Sequence, residues 1–414
     1  MERWRKNLYI LWFGQVFCLM GFGFAVPFIP FLIQEMGVTN PTRLSYLVGL
    51  AFTLPAATMA IAAPIWGILS DRFGRRPMIL RALISGAVLL VLMGFCREVW
   101  QFMTLRIIQG VMTGSVTAAM TFVSANTPLA RQSYALGLMT ASTFTGYSIG
   151  PFVGGILADL MGFRNCFITG GCLIFIGFLI VLFLLKEDPN TYGYRLKTDL
   201  PDSLTGRSVF MRVLNPFIVL LIVTLFFQKM ARLVFMPFMA LYAQAVLPDG
   251  GAATYTGLVN GTTMLATAIA AVTIVRLGDR QEKMGLVLRL TLLSLPLALA
   301  LFFLPASALI AFIAIYTAYF LLAGAAEPIL TAAASERTPP ALRGTLFGML
   351  GTVHSAAAMA SPMVGGFISA HISIKAILLC MPAFTVVMLF CILILKAKSK
   401  KELNVEQGTK LIDE

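Results

Sequence analysis

The sequence predicts an all-α membrane protein with twelve transmembrane helices arranged in two six-helix bundles. The chain of 414 residues is 58% hydrophobic and 12% charged, with a mean hydropathy of +0.87. A soluble domain carries about 25% charged residues, so this chain needs a bilayer as its solvent. Apolar segments of about 20 residues, the length that spans a bilayer as a helix, recur along the whole chain. The third observation is an internal repeat that divides these segments into two sets.

The predicted spans, numbered 1 to 12 here, follow one another with short connections. Spans 1 to 6 are expected at 8–35, 44–69, 79–96, 100–126, 134–160 and 165–185. Spans 7 to 12 are expected at 213–240, 254–277, 285–303, 307–334, 344–370 and 375–396. The long polar interval at 186–212 predicts a central loop that separates an N-terminal bundle at 1–185 from a C-terminal bundle at 213–396. The polar residues 397–414 are predicted to form a tail.

The two halves repeat one plan. "TPLARQSYALGLM" from Thr127 is answered by "TPPALRGTLFGML" from Thr338, and "GPFVGGIL" from Gly150 by "SPMVGGFI" from Ser361. "LSDR" in the loop after span 2 is likewise answered by "LGDR" after span 8. Two six-helix halves of this kind with a site between them at mid-membrane are an architecture of secondary transporters.

The net charge of +13 reflects topology rather than nucleic-acid binding. Most Lys and Arg residues of the connections lie on the side that also holds both termini, which the positive-inside rule makes cytoplasmic. Four basic residues fall on the opposite side: Arg43, Arg97, Arg164 and Lys375. We therefore expect both termini in the cytoplasm, the lipid bilayer and a small molecule as partners, no nucleic acid, and a monomer.

The composition argues against a membrane enzyme. The chain has two histidines and six cysteines, and none of them has the spacing of a metal site. No phosphate-binding loop is visible either, so we expect neither a metal nor a bound cofactor.

Three motifs carry a family resemblance. "GILSDRFGRRP" concentrates one acid and three arginines in the loop between spans 2 and 3. "LRIIQGVMTG" places Arg106 inside span 4, and "GYSIGPFVGG" places several glycines around Pro151 in span 5. Together they resemble the major facilitator superfamily, and in particular its twelve-span drug–proton antiporter branch.

The resemblance implies the major facilitator fold and export by alternating access, driven by the proton gradient. We expect a bacterial inner membrane because no eukaryotic targeting segment or glycosylated loop is evident in the sequence. In the family the loop after span 2 latches the start of span 11 while the cavity opens outward, and the glycine face of span 5 seals one entrance. The expected gating residues are Gly67, Asp71, Arg72, Gly74, Arg75 and Arg76 in the loop, Gly146, Gly150, Pro151, Gly154 and Gly155 in span 5, and Asp279 and Arg280 after span 8. The alternatives are a simple positive-inside anchor and static helix packing.

Ionisable residues inside the spans are candidates for function, because each costs several kcal/mol in hydrocarbon unless it is paired or hydrated. Glu327 is the only acid well inside an apolar segment and is the predicted proton carrier, with Arg106 and His354 as further candidates for proton coupling. A fixed ion pair between Glu327 and a basic residue is the alternative. The predicted cavity residues are Arg106, Gln109, Tyr147, Gln228, Lys229, Arg232, Asn260 and Glu327.

The sequence also departs from the family pattern for exporters of lipophilic cations, which tend to carry an acid in span 1. Here span 1 has none, and three embedded bases accompany the single embedded acid. A positive cavity attracts anions. The main hypothesis is therefore an antiporter that exports small amphipathic or drug-like molecules, and the alternative is a transporter of one anionic metabolite, such as a polycarboxylate siderophore, with import also open.

Overall fold

Each of the twelve predicted spans forms a helix. The computed structural model describes residues 2–128, 131–186, 215–278, 282–339 and 342–410. The first six spans are Arg3–Glu35, Pro41–Ser70, Arg75–Phe95, Val99–Asn126, Gln132–Met161 and Phe163–Leu184. The last six are Pro216–Val246, Ala252–Val275, Lys283–Phe303, Leu309–Glu336, Arg343–His371 and Lys375–Ala397.

Ten of these described helices are long and apolar enough to cross a membrane on length and composition alone. Spans 5 and 11 are the other two. At 30 and 29 residues they are also long enough, but they are rich in glycine, serine and threonine. Small residues let helix backbones approach closely, and both of these spans pack against the other bundle. The all-α prediction with twelve spans is confirmed.

The structure differs from the predicted spans at two places. Span 4 is interrupted at Thr113 and Gly114, where Gly114 adopts a φ of 110°, a conformation that favours glycine. Span 12 begins with a 3₁₀ turn at Lys375–Leu379 and continues as one helix, Cys380–Lys410, into the predicted tail. The tail is rich in Lys and Glu, which are good helix formers, so loss of hydrophobicity does not end the helix.

The spans form two bundles of similar design. Span 1 packs against spans 5 and 6, while span 7 packs against spans 11 and 12. Both spans 1 and 7 are interrupted by a 3₁₀ turn at repeat-related positions, Val26–Phe28 and Met236–Phe238, because Pro27 and Pro237 lack the donor that a continuous helix needs. The two turns confirm the internal repeat within the described chain.

The helix ends define two faces of the molecule. The face that holds the N-terminus, the start of span 7 and the end of span 10 is called the terminal face here, and the other is called the distal face. Near the distal face Gln34 of span 1 donates to Gln244 of span 7 at 3.0 Å. Between the bundles, span 2 packs against span 11 and span 5 packs against span 8.

Candidate functional site

The two bundles are closed against each other in the distal half of the molecule. Where span 2 meets span 11, the Ser45 and Ser369 hydroxyls lie 2.8 Å apart, and Thr53 donates to the Met359 carbonyl at 2.9 Å. Where span 5 meets span 8, Ser148 donates to the Gly261 carbonyl at 3.0 Å. All of these residues lie in the distal halves of their helices, so the distal entrance is sealed.

The terminal half between the same helices is open. An added Cβ at Gly67 of span 2, Gly137 of span 5, or Gly348 and Gly351 of span 11 would meet no atom within 4 Å. Ile68, Tyr134 and Phe347, at the same level, are exposed large side chains. Because these positions are open and the hydrogen bonds described between the bundles lie in the distal half, we infer a gap between the bundles that is reached from the terminal face and ends at the distal closure.

A carboxylate and two bases meet beside this gap. Glu327 of span 10 lies 3.3 Å from the Lys229 ammonium through either of its oxygens and 3.2 Å from Arg232 Nη1, both of span 7. Lys229 and Arg232 are three residues apart on one helix and therefore lie on neighbouring parts of one face. The side chains of Glu327, Lys229 and Arg232 are 21%, 25% and 11% exposed, so solvent reaches the cluster.

His354 of span 11 completes this charged cluster. Its Nε2 lies 3.5 Å from Glu327 Oε1. His354 is five residues from Met359, which belongs to the closure, so the imidazole lies about 8 Å to the terminal side of the seal along the helix. Counted from the terminal ends of spans 7, 10 and 11, the cluster lies about 14 to 24 Å deep, which is near mid-membrane for a hydrocarbon core of about 30 Å.

Neighbouring polar groups orient the cluster but leave donors unused. Arg232 donates through Nη2 to the Thr267 hydroxyl of span 8 at 3.2 Å, and its guanidinium lies 5.3 Å from the centre of the Phe320 ring. Arg232 Nε and the amide nitrogen of the buried Asn260 have no hydrogen-bond partner among the described residues. Buried donors without acceptors are costly, so this part of the site is suited to a ligand or water that supplies acceptor atoms.

Of the other predicted cavity residues, Gln228 and Tyr147 do not join the cluster. Gln228 is buried and donates to the Ala323 carbonyl of span 10 at 3.0 Å, inside the C-terminal bundle. Tyr147 is partly buried in span 5, one residue from the closing contact of Ser148. Asn260 is likewise adjacent to Gly261 of that contact, so Tyr147 and Asn260 lie at the level of the seal.

Arg106 and Gln109 lie apart from the cluster, in the N-terminal bundle. Arg106 is buried, donates to the Ala51 carbonyl of span 2 at 2.7 Å and to Gln109 Oε1 at 2.5 Å, and lies over the Phe52 ring. Arg106 and Gln109 are three residues apart and share one face of span 4, as their hydrogen bond shows. The predicted grouping of Arg106 with Glu327 is not present, because spans 2 and 4 use the guanidinium as a helix–helix contact.

The loop between spans 2 and 3 is fixed to its own bundle in this structure. Gly74 adopts a φ of 95°, which explains a glycine in the turn. Arg76 donates to the Leu182 carbonyl of span 6 at 2.7 Å, and Arg72 lies over the Phe73 ring. Arg75 begins span 3 directly after Gly74. Asp279 and Arg280 fall outside the described residues, as does the side chain of Asp71.

The glycines of span 5 divide between two contacts. Gly146, Gly150 and Gly154 pack against span 1 of the same bundle, where an added Cβ would lie 2.7 Å from an atom of that helix. At Gly155 an added Cβ would instead lie 2.5 Å from the Ala253 carbonyl oxygen of span 8, and Pro151 contacts Gly257. The regular glycine face therefore holds the N-terminal bundle together, and Gly155 with Pro151 makes the seal between the bundles.

Two charged residues with notable contacts were not predicted as site residues. Arg81 of span 3 stacks on the Trp66 ring of span 2, with its guanidinium 3.4 Å from the ring centre. Asp159, near the distal end of span 5, accepts two hydrogen bonds from span 8. Both lie close to predicted span ends, where charge is ordinary, so composition gives no signal for either.

Comparison with known proteins supports one family. The model of the Major Facilitator Superfamily matches residues 11–248 and 221–412. A protein named "Multidrug resistance protein MdtG" from Proteus mirabilis is 31% identical over 385 residues, which cover 90% of this chain and 92% of that protein. A protein of the same name from Dickeya zeae is 28% identical over 410 residues, covering 97% and 98%.

Solved structures agree on the fold. The human organic anion transporter MFSD10 (TETRAN) superposes with a TM-score of 0.67 at 17% identity, covering 95% of this chain and all of that one. A bacterial homologue of the human lysosomal transporter Spinster, in an inward-facing and occupied conformation, gives a TM-score of 0.71 at 15% identity, with 96% of each chain covered.

Proposed function

The chain belongs to the major facilitator superfamily, and from this premise we propose that it is a secondary transporter that exports drug-like amphipathic molecules in exchange for protons. The relatives named as multidrug resistance proteins support the cargo class. The observation that carries the proposal is the half-buried Glu327 with Lys229 and Arg232, at mid-membrane depth and directly beside the seal between the bundles.

We propose that the terminal face is cytoplasmic. The basic residues of the connections concentrate on that face, and cytoplasmic loops carry the excess of Lys and Arg in membrane proteins. The structure then represents an inward-facing state in a bacterial inner membrane. Both bundles come from one chain, which supports a monomer as the transporting unit, and the proton gradient supplies the energy without a bound cofactor.

The cluster suits proton coupling because Glu327 can either bind a proton or pair with its two basic neighbours. Ionised Glu327 pairs with Lys229 and Arg232 and offsets one of their two charges, whereas protonated Glu327 is a weaker acceptor and releases them. In an outward-facing state the carboxylate would take a proton from the outside. In the inward-facing state the gap leads to the cytoplasm, where the proton leaves as the ion pairs form again.

The test is transport in proteoliposomes under an imposed pH gradient. Wild-type protein is expected to move a fluorescent amphipathic dye against its concentration gradient only while the proton gradient lasts. Glu327→Gln is expected to abolish this accumulation while gradient-free exchange and dye binding are kept, because the amide fills the same space and binds no proton.

Glu336→Gln is the matched control. Glu336 lies on the same helix and also pairs with a lysine, Lys283, but it lies at the terminal end of span 10 and its side chain is 62% exposed. This variant is expected to transport as the wild type does. Normal pH-driven accumulation by Glu327→Gln would remove Glu327 from the proposed role.

A second candidate is transport of an organic anion, and a specific observation favours it. The cluster holds two bases against one carboxylate, and donors on Arg232 and Asn260 lack acceptors among the described residues. A carboxylate or phosphonate group supplies those acceptors and balances the charge. In the same proteoliposomes, transport of a polycarboxylate without transport of cationic dyes would favour this candidate. The direction of polycarboxylate flux under the pH gradient would separate import from export.

A further inference from the structure

Asp159 of span 5 makes a contact that crosses between the bundles at the distal face. Its Oδ2 accepts the backbone N–H of Thr254 at 2.8 Å and the Thr254 hydroxyl at 2.6 Å. Thr254 belongs to the first turn of span 8, which begins at Ala252. A carboxylate of the N-terminal bundle thus binds the start of a helix of the C-terminal bundle.

Span 8 cannot cap this turn with a residue of its own at the usual place. Side chains at the residue before a helix normally accept the N–H of the second or third helical residue. Here that residue is Gly251, which has no side chain and a φ of 79°. The N–H of Thr254 therefore depends on Asp159, and the positive end of the helix favours a negative charge there.

In the N-terminal repeat the corresponding helix start, that of span 2, is capped in a different way. At the spacing that relates Thr127 to Thr338, Gly251 corresponds to Asn40, Thr254 to Arg43 and Asp159 to Ala370. Span 2 is capped by its own Asn40, whose side chain accepts the Arg43 N–H at 3.1 Å. Across to span 11 the contacts at this end are between uncharged groups or with a histidine: Thr42 donates to the Ala370 carbonyl at 3.5 Å, the Ser45 and Ser369 hydroxyls lie 2.8 Å apart, and the Tyr46 hydroxyl lies 2.6 Å from His371 Nε2. The charged cap between bundles therefore occurs in one of two equivalent places.

No base of the described distal face competes for Asp159 among the contacts seen. Arg164, the nearest base along the chain, pairs with Glu35 at 3.3 Å and donates to the carbonyls of Gly94 and Cys96. The glycine seal brings the carboxylate within reach, since Gly155 lies one turn from Asp159 and accepts from the Thr254 hydroxyl at 3.4 Å. The Asp159 carboxylate is thus oriented toward the start of span 8.

We propose that Asp159 is a gating residue that stabilises the distal-closed state by capping span 8 from the opposite bundle. The two hydrogen bonds exist only while the distal ends of spans 5 and 8 touch, so their free energy is lost when that entrance opens. The proposal rests on the alternating access of the proposed function but not on its cargo or its proton coupling. It makes Asp159 the distal counterpart of the latch expected of the loop after span 2.

The test is a pair of distances measured by pulsed electron resonance in purified protein without substrate or gradient. In a Cys172→Ser background, which removes the exposed native cysteine, spin labels at Phe95→Cys and Phe303→Cys report the distal ends of spans 3 and 9. Labels at Leu184→Cys and Ile394→Cys report the terminal ends of spans 6 and 12. All four sites are exposed and lie away from the contact.

Asp159→Asn removes the charge and keeps the shape. The amide oxygen of Asn can still accept from Thr254, so only the attraction between the carboxylate charge and the helix start is lost, and we expect the ratio of distal-closed to distal-open molecules to fall about 2- to 5-fold. The distal distance should lengthen and the terminal distance shorten together. Thr254→Val keeps the backbone donor and removes the hydroxyl, so a shift of about 2- to 5-fold in the same direction is expected.

Thr42→Val is the control in the repeat-related place and is expected to leave both distance distributions unchanged. If Asp159→Asn fails to fold, the distance distributions of Thr254→Val and Thr42→Val are compared instead, and a shift in Thr254→Val alone supports the proposal. Unchanged distances in the Asp159 and Thr254 variants, or an equal shift in the Thr42 variant, would overturn the proposal. Because no transport is measured, failure of proton coupling in the Glu327 variant would leave this result standing.

Discussion

At the residue scale, the charged cluster places one carboxylate between two bases inside the C-terminal bundle. Glu327 shares Lys229 and Arg232, and His354 approaches from a third helix. A partly hydrated ion cluster of this kind is tolerated in a membrane because its members neutralise one another and reach water. The same geometry fits two roles, a proton carrier and a fixed structural ion pair, and these roles respond differently to substitution.

A double substitution separates the two roles. Glu327→Gln alone leaves two cations with one fewer partner, so we expect a loss of stability of about 3 kcal/mol, reduced by the partial exposure of the group. Adding Lys229→Gln restores the charge balance and is expected to recover much of the thermal stability in detergent. Proton-driven transport should stay absent in the double variant, because no residue in the cluster replaces the carboxylate.

The readouts are the unfolding temperature by fluorescence-detected size exclusion and dye accumulation in proteoliposomes. Glu336→Gln serves as the control, with a change in stability of less than about 1 kcal/mol expected for its exposed pair. Recovery of pH-driven transport in the double variant would mean that Glu327 acts only as a structural partner of Lys229.

At the scale of the elements, the helices between the bundles use small residues for two distinct contacts. Three glycines of span 5 lie against span 1 and Gly155 lies against span 8, although all belong to one motif. A helix can serve two neighbours in this way because residues four positions apart share a face and the next residue is turned by about 100°. The distal seal thus depends on a different glycine from those that hold the bundle.

Gly155→Ala tests the seal. Its Cβ would lie 2.5 Å from the Ala253 carbonyl oxygen, so spans 5 and 8 must separate by some tenths of an ångström. Overpacking of this kind costs about 1–3 kcal/mol, and here the cost applies only to the distal-closed state. We expect the distal label pair of Phe95 and Phe303 to lengthen.

Gly137→Ala, in the same helix, is the control for that measurement. Its Cβ meets no atom within 4 Å in this state, so the distal distance is expected to match that of the parent protein. Equal distances in the Gly155 and Gly137 variants would show that the close approach at Gly155 is not required for closure.

At the scale of the whole molecule, the bundles are joined at one face and separated at the other. The contacts of span 2 with span 11 and of span 5 with span 8 all lie distally, while the loop after span 2 is bound to span 6 of its own bundle. An alternating-access cycle requires the reverse arrangement as well. The loop is the sequence feature expected to stabilise that second arrangement.

Asp71→Asn tests the expected latch. If Asp71 caps the start of span 11 when the terminal side is closed, removing its charge weakens only that state by about 1 kcal/mol. The population should shift further toward the terminal-open form. Cysteines placed at Ile68 and Phe347 should then react faster with a membrane-impermeant maleimide added on the side of the terminal face.

The matched control for this measurement is Arg97→Gln, which removes a charge from the loop between spans 3 and 4 on the distal face. Its labelling rate is expected to equal that of the parent. An unchanged rate in Asp71→Asn as well would reduce the loop to a positively charged anchor.

Sequence alone determined the twelve spans and the repeat. It also identified Glu327, Lys229 and Arg232 as the acid and bases inside the spans, with His354 as a further candidate. These are properties of local composition and spacing: an apolar segment must span, and a charge within it needs a partner. Only the tertiary structure decided which charges meet, which entrance is closed, and that Arg106 packs in the other bundle. Those outcomes depend on contacts between helices whose paired residues lie from 55 to 324 positions apart in the sequence. The cap of span 8 by Asp159 was also decided by the tertiary structure. Gly251 has no side chain to cap the helix, and the acceptor comes from a residue of the other bundle that only the packing of spans 5 and 8 brings close.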